Sequence, residues 1–139
     1  MTSPTRRTLN LLRQQGHVAE VVERWVPGAN VRRDLFHCID VVAVHPALTG
    51  TLGVQCTTKL NLAARVEKVR QQPEIAVWLR AGNRLECWGW YRRGGKWDVE
   101  RIEIKAEDLQ PVHLTPRRRP RRLRKGERQR GLFDQQAPG

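Results

Sequence analysis

Little in this chain of 139 residues points to a membrane or to the cell exterior. No run approaches the ~20 apolar residues of a membrane span, and the opening Met1-Thr-Ser-Pro-Thr-Arg-Arg lacks the apolar segment of a signal peptide. Cysteine is scarce as well. Cys38, Cys56 and Cys87 form an odd set without Cys-x-x-Cys spacing, which argues against both a disulfide framework and a zinc ribbon. The expectation is a cytoplasmic protein with no membrane partner. Acid is the third shortage: 14 Asp+Glu stand against 26 Lys+Arg, a formal net charge of +12. Such a surplus repels itself and suits a polyanionic partner, nucleic acid first among them.

The charge is unevenly spread. Residues 1–114 carry 17 Lys+Arg against 12 Asp+Glu, a net of +5, whereas residues 115–139 carry 9 against 2, a net of +7 in far less chain. Pro111, Pro116 and Pro120 with arginines between them cannot build a buried face, so a disordered tail is expected over 115–139 behind one α/β domain over 1–114. Arg117, Arg118, Arg119, Arg121, Arg122, Arg124 and Lys125 form a basic arm suited to neutralising phosphates.

Within the domain, Ser3-Pro4 reads as an N-cap and first helical position, and Leu9, Leu11 and Leu12 supply a stripe, so residues 4–15 should be a helix. The valine-rich His17–Val26 suits a first strand ending at Pro27-Gly28, although a helix over Val18–Trp25 is also open. Val31–Val44 reads as a second strand and Thr51–Thr58 as a third. In the third, Leu52, Val54 and Cys56 share one face while Gly53, Gln55, Thr57 and Lys59 take the other. Leu62, Val66 and Val69 predict a helix over Leu60–Gln71 with Arg65 and Lys68 on a polar stripe, and Pro73 opens a shorter one reaching Gly82. Arg84–Arg93 and Trp97–Ile104 straddle Gly94-Gly95 as a hairpin, across which Trp88, Trp90 and Trp97 are expected to pack. Arg92, Arg93 and Lys96 at its tip extend the basic surface. The fold class is α/β, a mixed sheet of α+β type flanked by helices.

Asp40 is the residue most in need of a partner, because it lies in the otherwise apolar run Cys38–Val44. A carboxylate buried there costs several kcal/mol unless it is paired or bound to metal. An arginine or backbone amides would answer that need as well as a metal would. On the neighbouring strand, Gly53-Val54-Gln55-Cys56-Thr57-Thr58-Lys59 offers a polar group at every second residue. His37, Cys38 and Cys56 look at first like the start of a zinc site, but His37 and Cys38 fall on opposite faces and no further spaced ligands complete it.

Asp40 followed by Val41-Val42-Ala43, with Gln55-Cys56-Thr57 on the next strand, resembles the PD-(D/E)XK nuclease superfamily, in which an acid on one strand precedes (D/E)-x-K on the next. The resemblance spans most of residues 5–105. It is nearest to small Holliday-junction-resolvase-like and phage-encoded members carrying a Gln-x-Thr variant. It implies a restriction-endonuclease-like α-β-β-β-α-β core, here followed by the hairpin and the basic tail. It further implies a Mg²⁺- or Mn²⁺-dependent endonuclease hydrolysing DNA phosphodiester bonds, in double-stranded or branched DNA, and a homodimer. Asp40, Gln55 and the backbone carbonyl of Cys56 would be the metal ligands, with Asp34, Glu20 and Glu23 as candidates to add carboxylates. Thr57 or Lys59 would stand near the attacking water. Two departures accompany it: Gln55 removes a negative charge, and Thr57 supplies no ammonium group, leaving Lys59, ~7 Å further along the strand, or Lys68 as substitutes. An inert nucleic-acid-binding module that keeps the fold is the competing expectation, and an RNA-binding or assembly protein the third.

Overall fold

A computed structural model describes residues 2–29 and 31–109; the side chain of Arg32 and the basic arm of 115–139 lie outside the described residues. The protein is mixed α+β. Helix α1 (Pro4–Gln14) starts at Ser3, whose hydroxyl accepts the Arg6 N–H at 3.2 Å, with Pro4 at the position where a missing N–H costs nothing. Seven strands follow the expected order with two interruptions: β1 (Val18–Val21), β2 (Arg24–Val26), β3 (Val31–Arg33), β4 (Val41–Val44) and β5 (Leu52–Thr58), then β6 (Arg84–Arg93) and β7 (Lys96–Ile104). Helices α2 (Lys59–Arg70) and α3 (Pro73–Arg80) connect β5 to β6. None of the described helices is long and apolar enough to cross a membrane.

The main sheet runs β1-β4-β5-β6-β7, antiparallel at every pair except the parallel β5–β6 step. Both of its faces are covered, so β5 at its centre is buried on both sides. Leu9 and Leu12 of α1 pack on Val41, Ala43, Leu52, Val54, Trp88 and Trp90. On the opposite face, Leu62, Val66 and Val69 of α2 and Ile75 of α3 pack with Ile39, Leu85, Cys87 and Ile104. Gly89 lets α2 lie directly on β6: a Cβ there would stand 2.9 Å from Leu62 Cδ2 and 3.1 Å from the Lys59 Cα. A larger residue would push the helix off the sheet.

The second strand expected over Val31–Val44 is in fact two strands separated by a turn. Leu35 and Ile39 exchange backbone bonds of 3.0 and 2.9 Å, and between them Phe36 and His37 hold φ of 51° and 65°, a region that non-glycine residues rarely enter. The β-prone composition of this stretch gives way to burial: the turn drops Cys38 and Ile39 fully into the core. The first strand breaks too, at Val22-Glu23. Its first half stays in the main sheet and its second half leaves to form a separate ribbon, in which Arg24 faces Arg33. Trp97 also departs from expectation. Trp88 and Trp90 pack with ring centroids 6.4 Å apart, while Trp97 is 42% exposed and flanked by arginines.

Candidate metal centre in the strand fork

The ladder between β4 and β5 ends at Val41 and Val54, with one further bond of 2.9 Å from the Asp40 N–H to the Val54 carbonyl. Beyond that point the chain turns away and the two strands fork. The Asp40 carboxylate fills the fork. Its Oδ2 accepts the Cys56 N–H at 2.8 Å and the Gln55 side-chain N–H at 2.8 Å. The side chain thus replaces the backbone acceptor that β4 no longer offers to β5, which explains why an acid is tolerated inside an apolar run.

Two more acids meet Asp40 here. Glu23 arrives from the break between β1 and β2, and Asp34 from the start of the turn after β3. One carboxylate oxygen of each, with one of Asp40, forms a set lying within 4.8 Å of one another. Asp40 is only 3% exposed, and the other two are half-buried. Its pKa is pushed up from an ordinary 3.8 to about 8: burial is the first cause, opposed by the Cys56 N–H and reinforced by the charge of Asp34, a hydrogen bond with Asp34, and the charge of Glu23. Gln55 is 2% exposed, and its Oε1, the amide oxygen on the side chain already bonded to Asp40, has no hydrogen-bond partner among the described residues. A buried amide oxygen left in that condition costs on the order of 1–3 kcal/mol.

Three carboxylates and an orphaned amide oxygen are all hard oxygen donors, the set that suits Mg²⁺, Mn²⁺ or Ca²⁺. One divalent cation would relieve the mutual repulsion of the acids and also satisfy Gln55 Oε1. The thiols do not compete. Burial lifts Cys38 and Cys87 to about 12 and Cys56 upward in the same direction, so all three remain protonated at neutral pH.

The other residues singled out in the sequence are placed elsewhere. Glu20 is exposed on β1 and pairs with Arg13 at 3.7 Å, away from the acids, because it faces solvent rather than the fork. Cys56 meets Asp40 through its N–H. Thr57 is buried one step beyond Gln55 on the same face of β5, opposite Gly89. Lys59 does not continue that strand face: β5 ends at Thr58, and Lys59 opens α2. There its ammonium group lies 3.9 Å from Glu100 and 4.4 Å from the Tyr91 ring centroid, on the β6–β7 side. Lys68 is exposed on α2, as are Arg92, Arg93 and Lys96 at the hairpin tip, while Arg65 is half-buried.

A cleft of about 410 Å³ opens beside Asp34, between Arg24 and Arg33 of the ribbon and Leu35 and Phe36 of the turn. Sequence reasoning missed this basic rim, since it follows from the break at Val22-Glu23 that turns the two arginines toward each other. The fold and site together define a mixed α+β protein with an acid cluster in a strand fork, one member of which, Asp34, also lines a cleft with Arg24 and Arg33. Comparison with known protein families, with curated proteins and with solved structures finds no match.

Proposed function

We propose that the protein is a divalent-metal-dependent endonuclease acting on DNA phosphodiester bonds, double-stranded or branched, with a core of restriction-endonuclease-like type. One observation carries the reading: one carboxylate oxygen each of Glu23, Asp34 and Asp40 lie within 4.8 Å of one another, and the Gln55 amide bonded to Asp40 leaves its Oε1 unpartnered among the described residues. The order of elements supports it. A helix, three antiparallel strands (β1, β4, β5), a helical connection and a strand parallel to β5 follow the α-β-β-β-α-β pattern of that superfamily.

Glu23, Asp34, Asp40 and Gln55 would hold Mg²⁺ or Mn²⁺, which supplies charge neutralisation at the phosphate and a bound water of lowered pKa. The chain's own residues do the rest. Cys56 N–H and Gln55 Nε2 lock Oδ2 of Asp40 and so set the direction of its carboxylate. Asp40 gives up its proton as the cluster is neutralised. Arg24 and Arg33 hold phosphate oxygens at the cleft mouth, as planar guanidinium forks do.

The lysines favour a second reading. Among the described residues, Lys59 is engaged by Glu100 and Tyr91, Lys68 is exposed, Lys96 is at the hairpin tip and Lys105 caps the last turn. An acid cluster without an amine beside it suits an inert nucleic-acid-binding module that still takes a metal. Cleavage separates the two. The wild-type chain with Mn²⁺ should cut at least one of linear, flapped or four-way DNA, and Asp40→Ala should lower the rate by roughly 10³-fold or more while DNA binding survives. Intact substrates in both Mg²⁺ and Mn²⁺ would leave the inert module. The loss of saturable, Asp40-dependent Mn²⁺ heat in calorimetry would remove the metal site altogether.

A further inference from the structure

The hairpin tip carries a second like-charge cluster, built differently. Arg92 of β6 and Trp97 of β7 face each other in register, and the Arg92 guanidinium lies 4.9 Å from the Trp97 ring centroid. Arg7 reaches the same ring from α1, with its guanidinium 3.5 Å from the centroid. The approach of α1 is fixed next door: Trp90 Nε1 donates to Thr8 Oγ1 at 2.9 Å, and Thr8 donates to the Pro4 carbonyl at 2.9 Å. Two cations from distant parts of the chain are thereby set on one indole.

Among the described residues, no acid pairs with either. The ion pairs among the described residues involve Arg13, Lys59 and Arg70, not Arg7 or Arg92. Asp98, the acid next to Trp97, turns its carboxylate to the Tyr91 hydroxyl at 3.2 Å and to the Val99 N–H at 2.7 Å. Arg7 Nε is buried without a hydrogen-bond partner among the described residues, and burial first, then the positive charge of Arg92, lowers the pKa of Arg7. Arg93 and Lys96, the next pair in the β6–β7 register, are exposed, as is Arg6, the neighbour of Arg7 in the chain. An arrangement that served stability alone would place a carboxylate here. An anion binding from solution at the exposed Arg92 and the half-buried Arg7 would relieve the repulsion.

We propose that Arg7 and Arg92, held on Trp97, form a clamp for the phosphate backbone of nucleic acid. With Arg7 stacked on it, the indole acts as the spacer that orients the guanidinium forks, so the contact takes phosphates and does not read bases. The clamp is separate from the acid cluster. Gln55 faces Cys87 in the register, and Arg92 is five residues further along β6, roughly 17 Å away. Binding there needs no divalent metal, so the clamp stands or falls independently of cleavage.

The test is equilibrium binding of the full-length chain to a short fluorescent DNA duplex in EDTA, measured by anisotropy across a salt series. The double variant Arg7→Gln/Arg92→Gln should lose about 10-fold in affinity near 0.1 M salt. Its log–log salt slope should shrink by roughly 2, the share of two phosphate contacts. Arg7→Lys/Arg92→Lys should keep the slope, and Arg80→Gln/Lys105→Gln, equal in charge change but remote, should keep both affinity and slope. Unchanged binding in the first pair would overturn the clamp. Equal loss in the remote pair would overturn it too, since net charge alone would then explain the result. So would a double Gln variant that released phosphatidylserine vesicles while keeping DNA. Near-ultraviolet circular dichroism, matched between variants, excludes unfolding as the cause.

Discussion

The strand fork and the hairpin tip each crowd like charges together, yet they resolve the repulsion in opposite ways. In the fork, Asp40 is shielded from water beside two half-buried acids, and the repulsion is relieved by a proton, with Asp40 lifted to about 8. At the tip, the two arginines share one indole face that is attractive to both, and one side of the cluster is open to water. Burial turns crowding into a titration, whereas exposure turns it into a dependence on salt. The fork should therefore respond to pH and to divalent metal, and the tip to ionic strength.

The largest expected effect comes from Asp40. Its folded-state pKa of about 8 stands above the ordinary 3.8, so between those values the folded chain holds a proton that the unfolded chain has released. That contribution to stability is complete below about pH 4 and is lost as the pH rises through about 8. Metal-free protein should accordingly lose stability in denaturant titrations from pH 5 to pH 8. Asp40→Asn, neutral at every pH and able to accept the same two hydrogen bonds, should flatten the profile and gain about 2 kcal/mol at pH 8. A wild-type profile that is flat, or that rises over this range, would mean that the acids are not crowded as described. Mn²⁺ should remove the loss by taking the proton's place.

How much of this was legible beforehand follows from the physics of each part. Helix α1, β5, α2 and the β6–β7 hairpin come from local signals, an N-cap, a period of two, a period near 3.6 and a Gly-Gly turn, and they stand within a residue or two of where those signals placed them. The meeting of Asp40 with Gln55 was expected only through the resemblance of the two strands to the nuclease motif, since alternation assigns faces but not the register between strands. The turn at Phe36 and His37 was not readable, because two non-glycine residues at positive φ contradict every local preference and are held there by burial of Cys38 and Ile39. That turn brings Asp34 to the site. For the same reason, the choice of Glu23 over Glu20 depended on where β1 breaks, a tertiary matter. The meeting of Arg7 with Trp97, 90 residues apart in the chain, left no pattern to find.

Gln55→Glu sharpens the contrast at the next level of effect. It removes the N–H donor that stands 2.8 Å from Asp40 and adds a fourth carboxylate to the fork. Without metal this should destabilise the protein by about 1–2 kcal/mol at pH 8. With Mn²⁺ the sign should reverse, and the variant should bind the ion roughly 10-fold more tightly, because the added charge is a better ligand than an amide oxygen. Paired denaturation curves, with and without Mn²⁺, read both results. An equal loss of stability in both conditions would show that the acids gather for a reason other than a cation.

The smallest effect belongs to Trp97. Exposed cation–π contacts contribute about 0.5–1 kcal/mol each, and the Arg7–Arg92 repulsion that the ring has to offset is relaxed once the ring is gone. Trp97→Leu should therefore cost less than about 1 kcal/mol, a fall of only a few degrees in Tm for a domain of this size. Its DNA affinity should still drop about 3-fold, since two unanchored guanidiniums must be ordered again on binding. The pH profile set by Asp40 should not move, because the charges at the tip are roughly 17 Å from Gln55, beyond a Debye length at physiological salt. A shift of that profile in Trp97→Leu would join the two regions into one electrostatic unit and break the contrast between them.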